Sequence, residues 1–504
     1  MATPAALYTL TAPALAAFQA ALAAPQATQT QLLHTILQHN AHSQFGRRHG
    51  FAKLSGYADF AAAVPLGNYA SHQHAIEQTA HGVPQLLSSE PVLMFEETGG
   101  SSGGAKLVPY TAALQAAFAR AVLPWLGDLM RRRPQAFAGQ LFFIISPASR
   151  NASHTPGGIP IGSGNDLAYF GHELAAELTE RTLFLPELLQ AQSAAAWQWH
   201  SARLLLHAPA LSLMSVWSPT LLLAIIHTLQ QQQDSLLATV ADRPRRARLS
   251  RALSGHSPDT RALWSQLDTI SCWCSHTAAA PAAQLQALFP QVYLQGKGLL
   301  ATEGITSLPF GEHPYPLLAV NSHFYEFAAD NGEIYQAHEL AADAQYRVII
   351  TTQGGLYRYD TGDCVQVCGF EQGVPRLNFI GRSGWYSDVC GEKLNEAFVR
   401  NAMLSVDPRL PEHCLLQGTA MPQPHYRLLA ADADAAWLNA DVCAALDTAL
   451  HANPQYAHAR RIGQLHPLRL HWVADIHAHA AALARPEQRL ATRKIALLLP
   501  PQTA

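Results

Sequence analysis

The sequence predicts an α/β protein of two unequal parts: a large N-terminal domain of buried sheets and helices over residues 1–383, and a small α+β C-terminal domain over residues 392–504, with a hinge at 384–391. Three observations predict it. A chain of 504 residues exceeds what one hydrophobic core usually serves. Apolar residues make up 49% and charged residues 14%, a balance that fills a large core and does not suit disorder. Strand-like runs alternate with helical ones, and after Gly391 that alternation starts afresh.

In chain order, Pro4 to about Gln38 is rich in Ala, Leu and Gln at helical spacing, which predicts amphipathic helices. The apolar run Val92 to Phe95 predicts a strand that feeds the glycine-rich stretch following it, and Ala112 to Leu129 predicts a helix with Thr111 as its N-cap. The loop is therefore expected between a strand and a helix, a setting in which backbone N–H groups bind phosphate. "LFFIIS" and "QVYLQGKGLLATEG" read as buried strands with turns, separated by helical stretches such as Ser218 to Gln233. A second group of strands runs from "YRVIITTQGGLYRYDTGDCVQV" to "RLNFIGR". The last part reads as a helix from Glu392, a strand "HYRLLAA", a helix near Ala444 and a strand "LRLHWVA".

Charge and cysteine usage narrow the function classes. With 33 basic and 36 acidic residues and no long run of either sign, neither nucleic acid nor a membrane is the expected partner. The 25 histidines are scattered and show no His-Glu-x-x-His spacing. Seven cysteines without a spaced framework, and a start that lacks a secretory pattern, suit a soluble protein in the reducing cytoplasm. Cys272-Trp273-Cys274-Ser275-His276 lacks a fourth clustered metal ligand and reads as strand alternation of small buried thiols.

The stretch "TGGSSGGAKLVPYT" is the first candidate site. A Walker loop needs Gly, four residues and Gly-Lys-Ser/Thr; Gly99 and Gly104 have that separation, but Ala105 stands where the lysine should be and Leu107 follows Lys106. A Gly/Ser turn still offers backbone donors and hydroxyls to a phosphate; a plain surface turn is the alternative.

Three further segments place charged or hydroxyl groups after apolar strands, where α/β enzymes carry their chemistry. In "ATEG", Thr302 and Glu303 follow Leu299-Leu300, and Glu303 suits Mg²⁺, which takes one or two carboxylates plus substrate phosphates. An exposed strand-end acid is the other reading. In "LYRYDTGDCVQV", Asp363 follows a Thr-Gly turn and is suited to accept ribose hydroxyls, as well as being part of a good turn in its own right. "FIGRSGWYSDVCGEKLNE" begins with Arg382, able to contact phosphate or ribose, and continues into a stretch suited to a hinge.

Taken in order, "GRRHGF", "TGGSSGGAKLVPYT", "TPGGIPIGS", "SVWSPT", "GKGLLATEG", "NSHFYEF", "LYRYDTGD", "FIGR" and "SDVCGEKLNE" resemble the Gretchen Hagen auxin-responsive family of acyl-acid amido synthetases, particularly its bacterial members, within the adenylate-forming ligases. The resembling segments extend from about Phe45 to Lys494. The resemblance implies a large adenylate-forming domain and a mobile small domain that rotates between two half-reactions. ATP and a carboxylic acid give an acyl-adenylate and pyrophosphate; an amine, typically of an amino acid, then takes the acyl group as an amide.

By the same resemblance Gly100, Ser101, Ser102 and Gly103 cradle phosphates, with Lys106 supporting the loop or the pyrophosphate. Thr302 contacts the α-phosphate, Glu303 holds Mg²⁺, Asp363 binds ribose with Arg382 near it, and Lys494 is the late lysine brought by the small domain for adenylation. Phe324 matches a position that stacks on adenine, with a core strand aromatic as the alternative, and Trp217 lines the acyl pocket or is a core tryptophan. The sequence departs from the pattern at Gly99, where serine is usual, and at Ser102, where threonine is common; around Lys494 the usual Gly-Asp and Pro are replaced by Ala491-Thr492 and Ile495. The rivals are an acyl-CoA ligase using the same adenylate, and a catalytically inactive nucleotide- or ligand-binding homologue.

Overall fold

The structure is a computed structural model that describes residues 3–98, 106–143, 153–162, 172–191, 193–275, 278–329, 331–382, 386–420, 422–474, 476, 479 and 497–502. The N-terminal stretch forms two helices, Pro4–Ala23 and Pro25–His39, each begun by a proline where a helix has no partner for an N–H. The first is long and apolar enough to cross a membrane by length and composition, and it buries Leu7, Leu15, Phe18 and Leu22 in the main core. Thr111 caps the helix Ala112–Arg132, its hydroxyl accepting from the Leu114 amide at 3.2 Å.

A four-stranded parallel sheet lies at the centre, in the order Gln140–Phe143, Leu211–Ser215, Thr269–Cys272, Tyr293–Gly296. Its faces feed two cores: Leu141 and Leu213 pack into one, Phe142, Met214 and Ile270 into the other. Burial on both faces leaves all five residues of Leu211–Ser215 buried, its two serines included.

A seven-stranded antiparallel sheet follows, ordered Ile334–Gln336, Phe324–Ala328, Gln345–Thr351, Tyr359–Glu371, Val374–Arg382, Leu317–Leu318, Ser307–Leu308. The Asp-Thr-Gly-Asp stretch lies inside the strand Tyr359–Glu371 and does not form a separate turn. Gly362 takes φ 74°, its amide donates to Asp360 Oδ1 at 2.9 Å, and the register slips just beyond, between Cys364 and Val365. Turn chemistry has been absorbed as an irregularity within a long strand.

Residues from Val389 onward have their own core. It joins the strands Arg469–Val473, His425–Ala431, Cys414–Thr419 and Leu498–Gln502, in that order, to the helices Glu396–Val406, Ala440–Leu450 and Pro454–Arg461. The helix expected from Glu392 begins at Glu396, with Asn395 as its cap. Glu392 is instead fully buried, accepting from the Val389 and Cys390 amides, both at 2.6 Å, and from the Tyr426 hydroxyl.

Candidate active site

The glycine-rich stretch is held by two strands, Met94–Thr98 and Lys106–Tyr110, which pair antiparallel with Thr98 opposite Lys106. The expected strand-to-helix setting is thus corrected: Leu107 and Val108 favour extended backbone, so a second strand separates the loop from the helix at Ala112. Gly99, Gly100, Ser101, Ser102 and Gly103 lie outside the described residues, as does Lys494.

Around the foot of this hairpin several functional groups converge. Lys106 Nζ sits 5.2 Å from the centroid of the Tyr69 ring, and the Tyr69 hydroxyl accepts from the Leu107 amide at 3.0 Å. Tyr69 opens the helix Tyr69–Ala80, which Asn68 caps through a reciprocal box with Ser71. Burial pushes the Tyr69 phenol up, and the nearby carboxylates of Glu77 and Glu303 push it the same way.

Thr302 and Glu303 ride on a tight turn closed by Ala301 and Gly304, which exchange backbone hydrogen bonds at 3.0 and 3.2 Å. The Tyr110 hydroxyl donates to the Thr302 carbonyl at 2.6 Å, fixing this turn to the strand that leaves the glycine loop. Glycine is required at 304 by close approach: a Cβ there meets His323 Nε2 at 2.9 Å. His323 is fully buried, and burial pulls its imidazole down to about 3, so it backs the turn as a neutral ring.

Asp363 is 4% exposed and stands directly across the strand pair from Arg382. The start of that strand is tied to the Tyr69 helix, because Gly67 bridges Tyr359 and the Asp360 amide donates to the Gly67 carbonyl at 2.7 Å. Tyr69 thus touches Lys106, Tyr110 at the other end of the same strand holds the Thr302–Glu303 turn, and the strand carrying Asp363 opposite Arg382 is tied to the start of the Tyr69 helix.

Phe324 is the exception. It is 1% exposed and packs against Tyr57 and Phe60 in the core of the N-terminal helices, ring centroids 5.8 and 6.3 Å away. No face of the ring is open to adenine, which corrects the expected stacking and leaves the core-aromatic alternative.

Trp217 lies at the C-terminal rim of the parallel sheet, tilted 39° against Trp273 at 5.8 Å. Lys297 Nζ sits 5.2 Å from its ring centroid and donates to Ser215 Oγ at 2.8 Å. The sequence reading assigned no role to Lys297, Tyr69 or Tyr110. The strand-end position of Lys297 in "QGKG" was an available signal; the tyrosines had none, since a helix start 37 residues before Lys106 announces nothing of its proximity.

Among the described residues no group of three or more His, Cys, Asp or Glu could hold a metal ion. A single partly exposed carboxylate, Glu303, suits an Mg²⁺ that brings phosphate oxygens with it and does not suit an all-protein cage.

Against known proteins, the GH3 family N-terminal domain matches residues 14–294 and the GH3 family central domain residues 316–382. Putative indole-3-acetic acid-amido synthetase GH3.10 of Oryza sativa subsp. japonica is 23% identical over 404 residues, spanning 75% of this chain and 82% of that protein. Indole-3-acetic acid-amido synthetase GH3.6 of Arabidopsis thaliana is 22% identical over 480 residues, spanning 79% and 75%. The structure of AtGH3.15 acyl acid amido synthetase in complex with 2,4-DB superposes with a TM-score of 0.68 at 17% identity, over 98% of this chain and 94% of that one. A 2-hydroxyisobutyryl-CoA ligase in its thioesterification state gives 0.55 at 14% identity, over 94% and 89%.

Proposed function

This chain belongs to the GH3 family, and from that membership we infer that it joins a carboxylic acid to an amine, typically an amino acid, through an acyl-adenylate made from ATP. The observation that supports the inference within the chain is that the strand leaving the glycine loop carries Lys106 against Tyr69 and, through Tyr110, holds the turn that bears Thr302 and Glu303.

The difficulty in such a reaction is charge. A carboxylate oxygen attacks the α-phosphorus of ATP, pyrophosphate leaves with the P–O bond electrons, and both reactants are anionic at the start. Glu303 would hold Mg²⁺, which would supply neutralisation of phosphate charge. The hydroxyls and amides of Gly100, Ser101, Ser102 and Gly103 bind the phosphates, Lys106 supports them, and Thr302 positions the α-phosphate. Asp363 accepts the ribose hydroxyls, with Arg382 beside it. Trp217 lines the acyl pocket, and the assignment of Phe324 to adenine is withdrawn.

Lys494 arrives with the small domain and donates to the transferring groups during adenylation. Rotation about the hinge at 384–391 then moves that lysine away: the amine nitrogen attacks the acyl carbon, AMP leaves, and the nitrogen releases a proton to water. Holding the two reactants in line accounts for much of the remaining acceleration. All seven cysteines are free thiols, which supports a reducing, cytoplasmic setting for small-molecule substrates.

ATP–pyrophosphate exchange across a panel of carboxylic acids tests the first half-reaction. Exchange with some acids, lost in Lys494→Ala, supports the assignment; exchange unchanged in that variant removes Lys494 from it. The likeness to a CoA ligase keeps thioester formation as the second reading.

A further inference from the structure

The rim of the parallel sheet holds a row of hydrogen-bond donors that the adenylation machinery does not use. Ser215, Ser271 and Gln295 pair across three neighbouring strands, so their side chains share one face of the sheet. Gln295 Oε1 accepts from Trp125 Nε1 at 2.9 Å, which turns the amide so that Nε2 is left as a donor. That Nε2 and Ser271 Oγ are buried and have no partner, in side chains 2% and 1% exposed. Buried polar atoms left this way are costly unless something else satisfies them.

Above the row stands Lys297. Its ammonium uses one hydrogen on Ser215 and lies between two indole faces, 4.8 Å from the Trp125 centroid and 5.2 Å from that of Trp217. Among the described residues no carboxylate pairs with it: Asp128, on the helix that carries Trp125, is taken by Arg131 and Arg132. Burial pulls the ammonium down to about 8, which leaves it mainly charged at neutral pH. A partly buried cation, two orphan polar atoms and flat apolar walls together call for an acceptor-only anion on a flat apolar body; a carboxylate offers about four acceptor sites.

This group is not the carboxylate that reacts. Lys297 is anchored on Ser215 of the parallel sheet, whereas the Thr302 carbonyl is anchored on Tyr110 of the glycine-loop hairpin, so the two belong to different parts of the fold. We propose that this rim seats a second acidic group of the acyl substrate, so that the preferred acid is a flat, aromatic dicarboxylic acid whose far carboxylate is bound by Lys297, Ser271 and Gln295. The proposal rests on the adenylation reading for the fate of the near carboxylate.

Binding without ATP tests it independently of catalysis. Terephthalate and benzoate are titrated against the full chain, with tryptophan fluorescence as the readout. Terephthalate is expected to bind at least about 10-fold tighter, with Lys297→Met bringing the two acids within about threefold of each other. Lys297→Arg retains part of the preference. The wild-type preference is also expected to fade as pH rises from about 7 to about 9, through the Lys297 ionisation; Cys272 and Cys274 are the titratable groups that act on it, and Cys274→Ser leaves the fading in place. That pH series keeps the test available should Lys297→Met fail to fold. No preference in the wild type, a preference that survives Lys297→Met, or equal loss for both acids overturns the proposal. Absence of pyrophosphate exchange with every acid, alongside Lys297-dependent binding, overturns the adenylation reading alone.

Discussion

The Tyr110 hydroxyl donates to the backbone carbonyl of Thr302 at 2.6 Å, so the strand leaving the glycine loop and the turn bearing Glu303 are held at a fixed distance. Two parts of the proposed phosphate site, far apart in sequence, are thereby made one unit.

Tyr110→Phe keeps the ring and removes this bond. It is expected to lower stability by about 1 kcal/mol and to slow ATP–pyrophosphate exchange about 10-fold, with little change in KM for the acid. An exchange rate equal to wild type in a folded variant contradicts the positioning role.

Glu303→Gln retains the shape of the side chain and removes its charge. Exchange is expected to fall by about 100- to 1,000-fold, with a higher Mg²⁺ requirement for what remains. Exchange within a few-fold of wild type at low Mg²⁺ removes Glu303 from the metal role.

The sequence singles out Lys106 after a Gly/Ser run, Thr302-Glu303 after an apolar pair and Asp363 after a Thr-Gly step; the structure puts Lys106 at the start of a strand, Thr302-Glu303 on a tight turn and Asp363 opposite Arg382. The fold class was legible because runs such as "YRVIIT" have little choice but to be buried strands. What escaped was decided by tertiary contact. Lys106–Tyr110 is a strand because it pairs with Met94–Thr98, and Phe324 is in the core because the N-terminal helices cover it. The strands Cys414–Thr419 and Leu498–Gln502 were not read at all, since short apolar runs fit helix and strand equally.

Glu326 and Arg358 form a buried pair, side chains 1% and 8% exposed, with Arg358 Nη2 2.8 Å from Glu326 Oε1 and the Tyr57 hydroxyl donating to the same oxygen at 2.9 Å. Arg358 Nη1 also donates to the Ala61 and Val64 carbonyls, both at 2.9 Å, joining the large sheet to the N-terminal helices. Arg358→Met strands a buried carboxylate and is expected to destabilise the large domain by about 3–5 kcal/mol in urea unfolding. A loss under about 1 kcal/mol contradicts the account of the pair.

Glu392 links pH to the stability of the small domain. Burial, then the neighbouring Asp388 carboxylate, pushes its carboxyl from 4.5 up to about 7, so the folded chain holds this proton more tightly than the unfolded one. Its contribution is fully present below pH 4.5 and is lost as pH rises through about 7, with a slope of up to about 1.4 kcal/mol per pH unit between. Glu392→Gln is expected to flatten that slope in thermal unfolding of the full chain. An unaltered slope assigns the pH dependence elsewhere.

The central claim is that an acyl-adenylate made on this chain is passed to an amine. The direct measurement supplies ATP, Mg²⁺ and an acid that supports exchange, then offers the adenylate an amino-acid panel and coenzyme A separately, with products identified by mass. An acyl–amino acid amide, formed with stoichiometric AMP and faster than any thioester, is the expected result. Thioester with coenzyme A and no amide with any amino acid contradicts the claim.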